Sequence, residues 1–231
     1  MHRTRWTTIE RELRRTGGAL IAGVDEVGRG SLAGPVVACA IVMPPDSRAL
    51  RGVDDSKALT PLARERLVSQ IMRRAVSLGI GAASAREIDR LNIYHASTLA
   101  MRRALARLTV SPDHVLIDGR PIRALGVAHQ GIVDGDDKCF SIACASIVAK
   151  VTRDRLMASL ARRHPHYAWD RNCGYATRRH IDALQSHGSS AHHRRSFVVK
   201  ALVPGAIVLE VIADADTHHI TSGFSVEDRS L

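Results

Sequence analysis

The sequence predicts an α/β fold, in which an open sheet carries a functional site at the carboxyl ends of its strands. Apolar runs rich in β-branched residues alternate with segments of helical pattern along the chain. Three of those apolar runs end on acidic residues that stand beside a glycine. The 231 residues contain no internal repeat, so we expect one domain over residues 1–204 and a short extension over residues 205–231.

The first part of the chain is predicted to form a helix and two buried strands. Thr7 and Glu10 have the spacing of a capping box, which favours a helix over residues 8–15. Residues 19–27 and 36–43 are largely apolar runs without a regular polar alternation. Such runs are typical of neighbouring strands that are buried on both faces.

The remaining elements alternate between helix and strand. Thr60, Ser84 and Thr177 each stand where an N-cap residue is expected, and Glu87 follows Ser84 at capping-box spacing. The predicted helices cover residues 61–75, 93–108, 141–163 and 178–187, with a further helical region that begins at residue 84. The predicted strands cover residues 76–83, 114–119 and 128–133.

An acidic and glycine-rich stretch follows the first strand and dominates the sequence. Asp25 and Glu26 are adjacent, and neighbouring residues of a strand point to opposite faces, so they can share a ligand only if it is a cation near the strand end. Gly28 and Gly30 allow positive φ, and with Arg29 between them they suit a phosphate or a ribose hydroxyl. An ordinary glycine turn with solvated charges is the alternative.

Acidic residues also follow the two later strands. Asp118 ends the fourth predicted strand, and Asp134, Asp136 and Asp137 come directly after the fifth. Because sites in open α/β sheets form at the carboxyl ends of strands, we expect these acids to approach the carboxylates of the first strand. The pattern alone leaves open which of the three later aspartates takes part.

Two features further along the chain have simple structural interpretations. Ser146, Lys150 and Asp154 recur every four residues, which predicts a stripe with a surface charge pair and a packing serine. Tyr175 lies in a loop after a glycine, where an amphipathic tyrosine at the edge of a core is the simplest interpretation.

The charge distribution indicates a polyanionic partner. The whole chain carries a formal charge of +10. Residues 205–231 contain five acids and one base, so this tail carries −4 and the rest of the chain carries +14. A body this basic is typical of nucleic-acid-binding proteins, although basic proteins with other partners also exist. We expect the acidic tail to be weakly ordered.

Cysteine usage and hydropathy bear on location. The four cysteines show no C-x-x-C spacing, which predicts free thiols in a reducing compartment. The first twenty residues lack an apolar signal segment, and the longest apolar run, residues 36–43, is far shorter than the ~20 residues of a membrane span. We therefore expect a cytoplasmic protein with no membrane association, and a monomer by default.

Five motifs occur in order along most of the chain. They are GVDEVGRGSLAGPVV at 23–37, DDSKALT at 54–60, LIDG at 116–119, GDDKCFSIACASIVAKVTRD at 135–154 and GYATRRH at 174–180. Together they resemble the type 2 ribonucleases H, the family of bacterial ribonuclease HII, over about residues 21–197. The resemblance implies an RNase H-like fold, with a mixed five-stranded sheet flanked by helices and a C-terminal helical part.

The resemblance also implies a metal-dependent endonuclease. The family hydrolyses the RNA strand of RNA/DNA hybrids and cuts 5′ to single ribonucleotides in duplex DNA, using two divalent ions, Mg²⁺ or Mn²⁺, and leaving 5′-phosphate and 3′-OH ends. Its four catalytic, metal-binding carboxylates correspond to Asp25, Glu26, Asp118 and Asp136. The family's Gly-Asp-x-Lys pattern, at residues 135–138, selects Asp136 over its neighbours.

Substrate-binding residues can be carried over in the same way. Gly28, Arg29 and Gly30 match the family's Gly-Arg-Gly loop, which contacts the ribose 2′-OH and its flanking phosphate. Tyr175 matches the tyrosine that packs against the sugar following the ribonucleotide.

Three positions depart from the family pattern without removing a carboxylate. Ser31 stands where proline is usual, Cys144 where alanine is common, and Cys173 where lysine is frequent. We expect Ser31 to loosen the recognition loop and Cys173 to cost a phosphate contact.

Two alternatives to this function remain, a different nuclease of the same broad fold and a catalytically silent module that binds RNA/DNA hybrids. The Gly-Arg-Gly and Gly-Tyr motifs argue against the first, and the intact carboxylates argue against the second.

Overall fold

The centre of the molecule is a mixed five-stranded sheet. The computed structural model describes residues 8–45, 50–53 and 59–197. The strands are Ile21–Val27 (β1), Val36–Val42 (β2), Ser77–Ala83 (β3), His114–Asp118 (β4) and Gln130–Ile132 (β5). Their order in the sheet is β3-β2-β1-β4-β5, in which β1 is antiparallel to β2 and parallel to β4. The sheet expected from the family resemblance is therefore confirmed.

Helices cover both faces of this sheet and continue beyond it. They are Thr8–Arg15 (α1), Pro61–Arg74 (α2), Ala85–Leu105 (α3), Gly135–Lys138 (α4), Phe140–Arg163 (α5), Trp169–Asn172 (α6) and Arg178–His187 (α7). The predicted caps are confirmed at three of them. Thr60 and Thr177 accept from backbone N–H groups of the following turn, and Ser84 forms a complete capping box with Glu87.

The core divides between the two faces of the sheet. Side chains of β2 alternate, so that Cys39 and Ile41 pack with α2 and α5 while Ala38 and Ala40 pack with α3. On the outer strand, a Cβ at Gly81 would overlap the backbone oxygen of Ala100 in α3. Glycine in this strand therefore allows α3 to pack directly on the sheet.

The start of α5 is fixed by a distant acid. Glu10 of α1 is 2% exposed, and its Oε1 accepts a hydrogen bond of 2.9 Å from the backbone N–H of Ser141 in the first turn of α5. Its predicted capping-box partner, Thr7, lies outside the described residues. Glu10 thus connects the N-terminal helix to the helix that packs behind β1.

Element boundaries differ from the sequence prediction at a few places. The helical region from residue 84 and the helix from residue 93 form one element, interrupted by the non-helical residue Asn92 with φ 64°. The side chain of Asn92 accepts from the N–H of His95, so it caps the second half. The helix ends at Leu105 instead of residue 108, because the chain turns there toward β4.

A C-terminal helical part packs against the end of α5. Its core includes Tyr167, Trp169 and Leu184, which contact Leu32 and Met157. The acidic extension predicted over residues 205–231 lies outside the described residues, as does most of the DDSKALT motif. Among the helices of the described part of the chain, none has the length and apolarity needed to cross a bilayer.

Candidate functional site

Three neighbouring strands bring acidic residues to one edge of the sheet. Val24 of β1 pairs with Ile117 of the parallel strand β4, so the next residues, Asp25 and Asp118, stand side by side. The strand β5 is also parallel to β4 and leads directly into α4, which contains Asp136. The structure therefore places all three acidic strand ends at the same edge, as the open-sheet argument predicted.

Asp25 is the most deeply buried of these acids. Its carboxyl is 7% exposed, and Oδ1 accepts from the backbone N–H of Glu26 at 2.7 Å. Burial raises the pKa of Asp25 well above its ordinary value, and the charges of Glu26 and Asp118 raise it further. A hydrogen bond from Ser146 of α5 opposes this shift. The serine that spacing assigned to packing therefore contacts the carboxylate site.

Glu26 links the acids to the glycine loop. It is half-buried, and its Oε1 accepts from Nη1 of Arg29 at 3.1 Å. Burial raises the pKa of Glu26, the positive charge of Arg29 opposes this shift, and the charge of Asp118 adds to it. The guanidinium of the arginine between the two glycines thus contacts the carboxylate cluster, while 54% of the arginine side chain is exposed.

Asp118 is oriented by the turn that follows β5. Its Oδ1 accepts from the backbone N–H of Gly135 at 2.7 Å. Burial raises the pKa of Asp118, the hydrogen bond from Gly135 opposes this shift, and the charge of Asp136 raises the pKa further. The hydrogen bond therefore joins the end of β4 to the first residue of α4.

The three aspartates after β5 have different environments. Asp136 is half-buried, and its charge raises the pKa of both Asp25 and Asp118. Asp134 is exposed and pairs with Lys138 at 3.7 Å, and Asp137 is exposed. Burial and electrostatic proximity thus agree with the motif in favouring Asp136 as the fourth acid.

The chemistry of this cluster fits a hard divalent cation. Carboxylate oxygens are the protein ligands that Mg²⁺ prefers, and burial together with neighbouring negative charges raises the pKa values of Asp25 and Asp118, so a bound cation would stabilise their ionised forms. Within the described residues, no three Asp, Glu, His or Cys side chains converge closely enough to hold an ion.

The glycine loop after β1 lies directly on a buried arginine. Gly28 is buried with φ 88°, and a Cβ there would overlap Nε of Arg153 from α5, so only glycine fits. Arg29 and Gly30 form the exposed part of the turn. The backbone oxygens of Gly28 and Arg29 both accept from Arg194.

Tyr175 stands beside the same loop. It is half-buried, and its ring centroid is 5.8 Å from the guanidinium carbon of Arg153. The preceding residue, Gly174, accepts from the backbone N–H of Leu32 at 2.8 Å, which joins the tyrosine loop to the chain after Gly30. The structure therefore brings together both parts of the substrate-binding set predicted from the motifs.

Ser31 has a different environment from the one expected. It is fully buried, and its Oγ accepts from Nη2 of Arg153 at 2.8 Å. This contact argues against the expectation that serine at this position loosens the loop. The Lys150–Asp154 pair of the predicted stripe is present at 3.1 Å.

Three residues of the site were not recognised from the sequence alone. Ser146 and Arg153 lie seven residues apart on α5, two helical turns along the same face, and this spacing was the available signal. Arg194 lies in a run of four basic residues, two histidines and two arginines at positions 192–195, where nothing distinguished a buried arginine from solvated ones.

Comparison with known proteins agrees with the motifs. A family model described as Ribonuclease HII matches residues 22–200. A ribonuclease HII of Granulibacter bethesdensis is 53% identical over 189 residues, which cover 80% of this chain and 86% of that protein. One of Thermosynechococcus vestitus is 52% identical over 190 residues, covering 81% and 87%.

A solved structure extends the comparison to the fold. The ribonuclease H2 of Pyrococcus horikoshii OT3 superposes with a TM-score of 0.68 at 26% sequence identity. The alignment covers 79% of this chain and 96% of that one. With the family model matched over most of its length and relatives about half identical, this chain belongs to the ribonuclease HII family, whose members are type 2 ribonucleases H.

Proposed function

We propose that this protein is an endoribonuclease that hydrolyses the RNA strand of RNA/DNA hybrids and cuts 5′ to single ribonucleotides embedded in duplex DNA. The observation that supports the proposal best is that the carboxylate cluster and the glycine loop are in direct contact. A buried cluster of carboxylates at three strand ends continues, through the pair of Glu26 with Arg29, into a loop suited to a sugar-phosphate backbone. Family membership supports the same activity.

The carboxylates Asp25, Glu26, Asp118 and Asp136 would hold two divalent ions, either Mg²⁺ or Mn²⁺. Asp25 and Asp118 stand side by side at the centre of the cluster, so we assign them to both ions, with Glu26 and Asp136 completing one site each. When bound, such ions neutralise charge at the scissile phosphate and assist the attacking water and the leaving 3′-oxygen. Because the 3′-oxygen is the leaving group, the products would have 5′-phosphate and 3′-OH ends.

Recognition is assigned to the loops beside the carboxylates. The exposed Arg29 and the backbone N–H groups of Gly28 and Gly30 would contact the ribose 2′-OH and its phosphate. The half-buried ring of Tyr175 would pack against the following sugar. A hydroxyl distinguishes RNA from DNA whatever the base, so this set reads the sugar and is indifferent to sequence.

A catalytically silent module that binds RNA/DNA hybrids is the second candidate. The charge of +14 on residues 1–204 would suit such a binder equally well. Against it, three buried carboxyls with raised pKa values destabilise a surface that only needs to attract phosphates. The cytoplasmic location and the monomeric state stay predictions.

The experiment compares three labelled duplexes of one sequence: DNA with a single embedded ribonucleotide, all-DNA, and an RNA/DNA hybrid. Each is incubated with the full chain and Mg²⁺, Mn²⁺ or EDTA. We expect cutting of the first and third with either ion, on the 5′ side of the lone ribonucleotide, and no cutting in EDTA. Binding without cutting under both ions would favour the silent module, and cutting of the hybrid alone would overturn the assignment to single ribonucleotides.

A further inference from the structure

Two arginines are buried beneath the loops that carry the proposed recognition residues. Arg153 of α5 and Arg194 of the segment after α7 are each 0% exposed. A buried arginine is ordinarily paired with an acid. Within the described part of the chain, neither forms an ion pair, although Asp154 and Asp89 lie in electrostatic range. Both guanidinium groups instead donate hydrogen bonds to uncharged acceptors, which are backbone oxygens and the Ser31 hydroxyl.

Arg194 holds the peptide groups on both sides of Arg29. Its Nη2 and Nη1 donate to the backbone oxygens of Gly28 and Arg29 at 2.5 and 2.7 Å, and Nε donates to that of Gly34 at 3.0 Å. In a trans peptide the carbonyl and the following N–H point in opposite directions. The N–H groups of Arg29 and Gly30 are therefore turned away from the buried guanidinium.

Arg153 joins the glycine loop to the tyrosine loop. Its Nη1 donates to the backbone oxygen of Cys173 at 2.8 Å, two residues before Tyr175. On the other side, Nε donates to Pro35 at 2.9 Å, and Nη2 donates to the Ser31 hydroxyl at 2.8 Å and to the oxygen of Ala33 at 3.1 Å. One guanidinium thus fixes both loops.

We propose that Arg153 and Arg194 are positioning residues that hold the Gly28–Gly30 loop and the Tyr175 loop in one arrangement, so that selection for a ribonucleotide depends on them. Neither arginine hydrogen-bonds to a carboxylate of the candidate site, so they act on recognition and leave the chemical step unaffected. This inference rests on the proposed function. Ser31, which departs from the usual proline, takes part through its hydroxyl.

The two buried positive charges also bear on the partner. Burial and the nearby Arg153 lower the pKa of Arg194 to about 9. A phosphate lying on the exposed side of the loop would compensate it through the aligned peptide dipoles. A substrate phosphate at this loop would therefore interact favourably with Arg194 through the two peptide groups that it holds.

The test uses the full chain and two DNA duplexes of identical sequence, one with a single ribonucleotide and one without. Cleavage of the first gives kcat and KM, and the second, added as a competitor, gives an inhibition constant. We expect Arg194→Lys and Arg153→Lys to raise KM about tenfold, with kcat and the competitor's inhibition constant close to the native values. Ser31→Ala, which removes the contacts of the hydroxyl with Arg153 and with the backbone oxygen of Gly28, should raise KM about threefold.

Two controls separate positioning from general destabilisation. Ile71→Val, in the core between α2 and the sheet, lowers the unfolding temperature without touching either loop, and should leave KM unchanged. Combining Arg29→Ala with Arg194→Lys should give less than the sum of the single effects, because both act through one loop.

A lowered unfolding temperature with native KM in Arg194→Lys would overturn the inference, and so would additive effects in the double variant. If Arg194→Lys does not fold, Ser31→Ala and Arg153→Lys decide by the same criteria. If the native protein itself fails to distinguish the two duplexes, the proposed function is wrong. If the native protein distinguishes them and the variants do so equally well, only the positioning role of the two arginines is wrong.

Discussion

The carboxylate edge and the loops beside it both bury charge, but in opposite ways. At the edge, Asp25 and Asp118 stand side by side, and burial and neighbouring negative charges raise their pKa values. Beneath the loops, Arg153 and Arg194 are fully buried, and backbone oxygens surround them. The positive pair is hydrogen-bonded within the fold, whereas the negative cluster is the region that we propose to bind metal ions.

Removing the fourth acid is expected to have the largest effect. Asp136→Asn should reduce turnover about a thousandfold, since it removes one carboxylate from the ligand set. Asp137→Asn, one residue away and exposed, is the matched control and should retain native turnover. Single-turnover cleavage of the ribonucleotide duplex measures both. Equal losses in the two variants, or a loss in Asp137→Asn alone, would contradict the choice of Asp136.

Changes in the loops are expected to act on affinity. Tyr175→Ala should raise KM about tenfold, because it removes the ring that we propose to pack against the sugar, and should leave the metal requirement unchanged. Arg178→Ala, which opens an exposed pair with Asp182, is the control in the same part of the chain. A fall in kcat with native KM would assign Tyr175 to the chemistry and blur the distinction between the two regions.

Metal binding should stabilise the fold through the acidic edge. At about 100 times its dissociation constant, Mg²⁺ adds about 2.7 kcal/mol to the free energy of unfolding, which corresponds to a rise of about 5–10 °C in the unfolding temperature. Thermal unfolding with Mg²⁺ and with EDTA measures this rise. In Asp25→Asn it should be smaller, and an equal rise in that variant would place the stabilising ion elsewhere.

The last prediction concerns the stability of a buried histidine pair, which takes no part in binding or chemistry. Nε2 of His193 lies 3.0 Å from Nε2 of His180, and burial with the nearby His180 lowers the pKa of His193 to about 4. The unfolded chain takes up this proton near pH 6.5. Stability from the neutral imidazole is therefore complete above about pH 6.5 and is lost as the pH falls toward about 4, at about 1.4 kcal/mol per unit.

Thermal unfolding between about pH 7.5 and about pH 4.5 tests this pH dependence. His193→Gln should unfold at a lower temperature at neutral pH, where its contacts are lost, but its unfolding temperature should fall less steeply with acid. The exposed His187, changed to Gln, should keep the native slope. If the unfolding temperature of His193→Gln fell with acid as steeply as that of the native protein, another group would be responsible for the pH dependence.

Local patterns predicted most of the fold. The caps at Thr60, Ser84 and Thr177 and the apolar runs were sufficient to locate most helices and strands, because these signals act within a few residues of each element. The mixed five-stranded sheet came from the family resemblance, and the order of its strands was not predicted. Pairing between β1 and β4 depends on contacts about ninety residues apart, which periodicity does not encode.

The candidate site was predictable where it follows strand ends and not where it depends on burial. Asp25 and Asp118 follow apolar runs, so their common edge could be expected. Arg153 and Arg194 look like any basic residue until their environment is known, since a buried arginine has no sequence signature of its own. The expectation that Ser31 loosens the loop failed for the same reason. The sequence does not show that the guanidinium of Arg153 lies beside the serine hydroxyl and donates a hydrogen bond to it.

The measurement that tests the separation of chemistry from recognition most directly compares Asp118→Asn with Arg29→Ala on the two duplexes that differ by one 2′-hydroxyl. Binding is followed by fluorescence anisotropy with Mg²⁺ and cutting by gel electrophoresis. We expect Asp118→Asn to bind the ribonucleotide duplex with the native preference and not to cut it. We expect Arg29→Ala to cut it, with that preference reduced about tenfold. Turnover by Asp118→Asn, or a full native preference in Arg29→Ala, would contradict the account.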